Sequence, residues 1–137
     1  MSVATSSRYY SEMRPNPAKR YKWDLALVEE QTPEICLAAV NQDGLALLHV
    51  KEQTPEICLA AVNQNWAALK YVQNQTPEIC LAAIKQNSMA IIFIKEQTPD
   101  ICMTAVKQDS WSIEYVKEQT YEMKMESVTQ SLQSFGI

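Results

Sequence analysis

Cys36, Cys58, Cys80 and Cys102 stand 22 residues apart, one after another. Thiolates can ligate zinc or pair as disulfides, so this spacing is the first place to look for chemistry. A zinc site needs its sulfurs ~2.3 Å from one ion, from ligand spacings such as C-x₂₋₄-C. A disulfide needs Cα atoms within ~6.8 Å. The single histidine, His49, aligns one and more periods on with Tyr71, Phe93 and Tyr115, which gives it an aromatic packing slot rather than a proton-transfer role. Glu34, Glu56, Glu78 and Asp100 each follow a proline, one per period, and form no converging acid pair. With Gly only at 44 and 136 no Gly-rich phosphate loop can form, and neither G-x-S-x-G nor H-E-x-x-H occurs. An enzyme would have to build its site from tyrosines, Lys70 and Glu114, in no pattern that carries a known mechanism. The sequence therefore reads as a non-enzyme, with no catalytic residue, no metal and no cofactor.

The elements that hold these residues are set by a repeat. The triplet Gln-Thr-Pro begins at 31, 53, 75 and 97, and Gln119-Thr120-Tyr121 continues the series. Full units run over 31–52, 53–74, 75–96 and 97–118, inside an array spanning 23–118. A degenerate unit, WDLALVEE at Trp23–Glu30, leads in, and 119–137 form a C-terminal capping unit. Thr32, Thr54, Thr76 and Thr98 are N-cap types. The prolines that follow suit the first helical position, where no N–H is needed. Next come the carboxylates, favoured by the positive helix end. Eleven residues after each Thr stands a second capping type: Asp43, Asn65, Asn87 and Asp109. Each unit thus reads as two short helices, the second exemplified by Trp66–Gln73. Isolated helices shorter than ~12–15 residues are marginal in water, so stacking must hold them. The fold class is all-α, an α-solenoid of stacked short helix pairs with a 22-residue period. A leucine-rich strand repeat of similar length lacks support, because its L-x-x-L-x-L-x-x-N signature and any period-two alternation are missing.

Helices stacked ~8–10 Å apart hold successive cysteines too far apart for a bond or a shared ion. The cysteines read as a buried column of small apolar residues. Four unpaired thiols imply a reducing compartment and hence a cytoplasmic location. Asn74-Gln75-Thr76 has the form of a glycosylation sequon, but it coincides with a Thr cap. No apolar run approaches the ~18 residues a membrane span needs, so no membrane partner is expected. The Ser- and Arg-bearing start is only faintly like a mitochondrial presequence. The net charge is −4, unevenly spread. The segment 1–22 is a basic arm of net +4, with Arg8, Arg14, Lys19, Arg20 and Lys22 against Glu12. The remaining chain carries −8. Pro15 and Pro17 make any helix there irregular. In the last unit Tyr121, Lys124 and Glu126 replace Pro, Cys and Ala, which polarises that helix, while Met125, Val128, Leu132 and Phe135 keep helical spacing to cover the open end.

The string Q-T-x-E-I-C-L-A-A-V-x-Q at this period resembles an uncharacterised helical repeat family, a domain of unknown function abundant in mimivirus-like giant viruses and amoebae. The resemblance covers residues ~24–128. It implies a giant-virus or host-cell setting, with the host cytoplasm as the location if the protein is viral, and it transfers no catalytic residue.

Comparing the units with one another separates frame from variation. Gln, Thr, Ile, Cys, Ala, Val and the later Gln barely change. The second helix varies in four rows: Gly44, Trp66, Ser88, Ser110; then Leu45, Ala67, Met89, Trp111; then Leu48, Lys70, Ile92, Glu114; then His49, Tyr71, Phe93, Tyr115. On an α-helix, i and i+4 share a face, so these rows would adjoin as ridges, with Ala46, Leu47 and Val50 types turned inward. A row that accepts both Lys70 and Glu114 must be exposed, so Leu48 and Ile92 within it suggest a docking surface. The candidate protein-binding residues are Leu45, Leu48, His49, Trp66, Lys70, Tyr71, Met89, Ile92, Phe93, Trp111, Glu114 and Tyr115. The expected partner is a protein, and a homo-oligomer is admitted. Single-stranded RNA read by helical repeats is the alternative, disfavoured because an acidic body repels phosphate.

Overall fold

The computed structural model describes residues 25–136, and the expectations for the basic arm at 1–22, including the irregular start at Pro15 and Pro17, lie outside the described residues. Each unit begins where its caps stand. The hydroxyls of Thr32, Thr54, Thr76 and Thr98 accept the backbone N–H three residues on, at 3.2–3.3 Å. Proline then opens a ten-residue α-helix: α1 Pro33–Gln42, α2 Pro55–Gln64, α3 Pro77–Gln86 and α4 Pro99–Gln108. A single residue closes that helix and opens the next. Asp43, Asn65, Asn87 and Asp109 are extended, and each gives its own N–H to the carbonyl of the alanine four residues before it. The side chains of Asp43, Asn65 and Asn87 in turn accept the N–H two residues on, at 2.9–3.0 Å. The first corner of each unit is therefore made by one residue, while five residues, such as 50–54, lead from the second leg to the next α-helix.

The second leg of each unit differs from the α-helix that the sequence suggests. It is a six-residue 3₁₀ helix: η1 Gly44–His49, η2 Trp66–Tyr71, η3 Ser88–Phe93 and η4 Ser110–Tyr115. The leg closes at Tyr71 and does not reach Gln73. Its bonds run i to i+3, as from Ala46 N–H to the Asp43 carbonyl and from Val50 N–H to that of Leu47. A 3₁₀ rise of ~2.0 Å per residue gives six residues a length of ~12 Å. Ten α-helical residues span ~15 Å. Stretched in this way, a short leg nearly matches the long one, and the chain returns to start the next unit.

The α-helices form one layer and the 3₁₀ helices the other. Each α-helix packs on the α-helix of the next unit, each 3₁₀ helix on the next 3₁₀ helix, and all four 3₁₀ helices also touch the following α-helix. The core between the layers repeats with the units: Cys, Ala and Val or Ile from the α-layer, and Ala46, Leu47, Ala68, Leu69, Ala90 and Ile91 from the other. Val50, Val72, Ile94 and Val116, the extended residues after each 3₁₀ leg, are buried as well. Leu59, Ala60, Leu81 and Ala82 lie half-buried on the outer side of the α-layer, so the α-helices are less completely enclosed than their composition suggests. The last helix, α5 Tyr121–Ser134, has 14 residues. Among the described residues there is no strand, and no helix is long and apolar enough to cross a membrane.

Candidate functional site

The frame glutamines position everything else. Gln75 donates from Nε2 to the Leu69 carbonyl (3.1 Å) and the Phe93 carbonyl (2.8 Å), while its Oε1 accepts the Lys95 N–H (2.9 Å). Gln31 and Gln97 make the same three contacts in their own units. Gln53 bonds the Tyr71 carbonyl and the Gln73 N–H. One side chain thus ties the 3₁₀ legs of two consecutive units through backbone groups near their C-terminal ends, of which the Leu69 carbonyl also accepts the Val72 N–H. A second glutamine series does the same for the α-layer. Gln86 donates to the Val62 and Asn63 carbonyls, Gln108 to the Ile84 carbonyl and Ser88 Oγ, and Gln130 to the Lys107 carbonyl. These carbonyls lie at helix C-termini, where the last turn leaves acceptors without intrahelical donors. Gln64 instead accepts the Gly44 N–H. Gly44 approaches α2 so closely that a Cβ there would stand 2.4 Å from the Ala61 carbonyl oxygen. The constancy of these glutamines was visible in the sequence, but beside a carbonyl six residues back most of their partners lie 18–24 residues away, so no local signal announced their role.

Fixed in this way, the outer layer presents side chains with a period of three. In a 3₁₀ helix i and i+3 eclipse, which changes the faces expected from i and i+4. The third and fourth positions, such as Ala68 and Leu69, point inward. The first position also belongs inside: Gly44 and Ser88 are buried, and Trp66 is half-buried with its ring 6.0 Å from that of Phe93. Counting Trp66 as an outer residue therefore needs correction, because it packs between units. The second and fifth positions make the outward ridge. Leu48 is 56% exposed and Ile92 44%, in one row with exposed Lys70 and Glu114. Leu45 and Met89 are half-buried beside them, while Trp111 is exposed. In the sixth position His49, Tyr71 and Phe93 are half-buried and Tyr115 is exposed. Lys70 Nζ stands 5.0 Å above the Tyr71 ring, and Trp111 meets Tyr115 edge to face at 6.2 Å. The ridge is thus continuous along η1 to η4, apolar at Leu48 and Ile92 and aromatic at its C-terminal end.

The cysteines lie under the α-layer, away from this ridge. All four are buried and unpaired. Cys36, Cys58 and Cys102 direct Sγ at the Oε1 of the frame glutamine five residues earlier, at 3.4–3.9 Å. Burial pushes each thiol above its ordinary value, so the neutral, weakly nucleophilic form is held. A thiol reagent should label none of the four in the native chain and all four after denaturation, read by mass spectrometry. The sign of the pH effect follows: a folded-state value above the unfolded one gives stability that is fully present below the ordinary thiol value, about 8.5, and is lost as pH rises from there through the raised folded-state value. Among the described residues, no three His, Cys, Asp or Glu side chains are placed to hold a metal. Two clefts of 290 and 240 Å³ open at the unit corners over Cys36 and Cys80, between Pro33 and Thr54 and between Pro77 and Thr98. Their walls are largely frame residues repeated 44 positions apart, differing only where Glu29 and Glu30 become Gln73 and Asn74, so they follow from the stack.

A family model described as "Domain of unknown function (DUF4116)" matches residues 32–75 and again 76–120, each match spanning two 22-residue units. No curated protein and no solved structure matches the chain.

Proposed function

We propose that this chain, which belongs to the DUF4116 family, is a non-enzymatic helical-repeat scaffold that binds protein along its 3₁₀ ridge, self-association included. The setting we propose is the cytoplasm of a giant virus's host cell. The exposed row Leu48, Lys70, Ile92, Glu114 carries the reading. It sets two large aliphatic side chains in water on a frame that is otherwise nearly constant, and it varies in charge from unit to unit. Exposed apolar groups flanked by aromatic residues are the composition of interaction hot spots. The RNA alternative has less support. Lys70 is the one lysine or arginine among the twelve candidate residues, and Glu114 opposes it. Grooves that track a nucleic-acid backbone need several cations.

The test uses ridge positions that are already exposed. Trp66→Ala would also remove the contact with Phe93, so loss of binding there could be loss of packing. Leu48→Glu with Ile92→Lys should weaken capture of a host or viral protein at least tenfold, equivalent to about 1.4 kcal/mol, with an unchanged circular dichroism spectrum. Native-level capture by the double variant would remove the reading, and a ridge-dependent gel shift with single-stranded RNA at moderate salt would replace it.

A further inference from the structure

The last helix has two faces, and only one of them is used. Met123 is buried, and Glu126, Ser127 and Gln130 are half-buried on the side that packs against α4 and η4. On the opposite side Tyr121, Met125, Val128, Leu132 and Phe135 are exposed by 73, 45, 52, 45 and 80%. Their spacing is 4-3-4-3, a stripe within about 40° of one line along an α-helix. The sequence suggested that four of these side chains cover the open end of the stack. Instead they face away from it. Ser131 stands where Asp43, Asn65, Asn87 and Asp109 turn the other units into a 3₁₀ leg. Its hydroxyl donates to the Ser127 carbonyl at 3.0 Å, within the helix. The helix runs straight on to Ser134, and among the described residues no 3₁₀ leg folds back over it. Val128 is the counterpart of Val40, Val62, Ile84 and Val106, all 0% exposed.

We infer that this face docks against the same face of a second copy of the chain, as an antiparallel two-fold pair of α5 helices. Three observations select this occupant. The α-layer is built by one repeat helix packing on the next, from α1 to α5, so helix-on-helix packing is a contact these α-helices already make with one another, here made between copies and in the opposite sense. A 4-3-4-3 stripe is the pattern of a helix seated on a helix through knobs and holes, not that of a small-molecule pocket or an extended peptide. Charge fixes the direction. Glu122, Lys124 and Glu126 occupy the first half of α5, and Thr129, Gln130, Ser131, Gln133 and Ser134 make the second half uncharged. A parallel pair would set Glu122 against Glu122 and align the helix dipoles. An antiparallel pair sets each charged half against an uncharged one and opposes the dipoles. Isologous two-fold pairs are also the commonest closed assembly. The contact deepens the self-association part of the proposed function and uses a surface separate from the ridge.

Light scattering on the full chain tests it. The native protein should show twice the 15.6 kDa chain mass, falling toward one chain on dilution. Val128→Glu with Leu132→Glu should give a monomer at every concentration, with an unchanged circular dichroism spectrum. A chain mixed from Glu122→Cys and Gln133→Cys variants should cross-link between the two, not each with itself. A native monomer at high micromolar concentration, or a dimer that survives the α5 double variant, would overturn the inference. So would loss of the dimer with Leu48→Glu alone, which would move self-association to the ridge. Failure of the ridge to capture a partner, with the α5 dimer intact, would sink the ridge reading only.

Discussion

Gln75→Ala is expected to lower the unfolding free energy by roughly 2–3 kcal/mol, seen as a fall in the urea midpoint with little change in slope. Gln75 satisfies one N–H and two carbonyls from two different units. Removing it leaves the Phe93 carbonyl and the Lys95 N–H without that partner at a half-buried seam, while the Leu69 carbonyl keeps the Val72 N–H. Each such group costs about 1–3 kcal/mol when buried, and water entering from the rim brings the sum toward the lower end. Gln73→Ala, a short distance away and exposed, is the control and should stay within about 0.5 kcal/mol of native. Gln75→Glu separates hydrogen bonding from size. Its carboxylate keeps the acceptor for Lys95 N–H but turns an anionic oxygen on the Leu69 and Phe93 carbonyls. It should be less stable than the alanine variant near neutral pH and recover in acid, as the protonated acid regains a donor. Equal stability of Gln73→Ala and Gln75→Ala would show that the ladder is incidental.

These glutamines also show how far the sequence could be read. The period, the Thr caps, the prolines and the second capping residue are local signals, each acting within four residues, and they placed every α-helix start. The inward set Ala46, Leu47 and Val50 was legible for the same reason, since burial follows the apolar pattern whatever the helix type. Two features were not legible. Six residues are too few to tell a period of 3.0 from one of 3.6, so η1–η4 read as α-helices and the first row was placed outside. Most partners of the frame glutamines lie 18 or more residues away, and constancy alone could not say whether those residues recognise a ligand or hold the stack. The exposed row at Leu48, Lys70, Ile92 and Glu114 could be read because its mixture of types tolerates only solvent.

Leu69→Ala should have the larger effect, a loss of about 3–4 kcal/mol. Leu-to-Ala changes in closed cores remove the transfer free energy and leave a cavity, together 2–5 kcal/mol. Leu69 is fully buried in η2, and η2 packs on η1, η3, α2 and α3, so no neighbour can move in without disturbing a second unit. Ile113 is the same position in η4 but is only half-buried, near the end of the array. Ile113→Ala should therefore cost less, about 1–2 kcal/mol. In a nearest-neighbour stack the two losses also differ in kind. A weakened last unit frays alone. A weakened central unit uncouples the units on either side of it, each too short to persist without the other. Hydrogen exchange should accordingly show Ile113→Ala opening only η4 and α5, while Leu69→Ala raises exchange across α1 to α4. If Leu69→Ala cost no more than Ile113→Ala, and exchange rose only around η2, the units would be stable singly and coupling between them would not be what holds this fold.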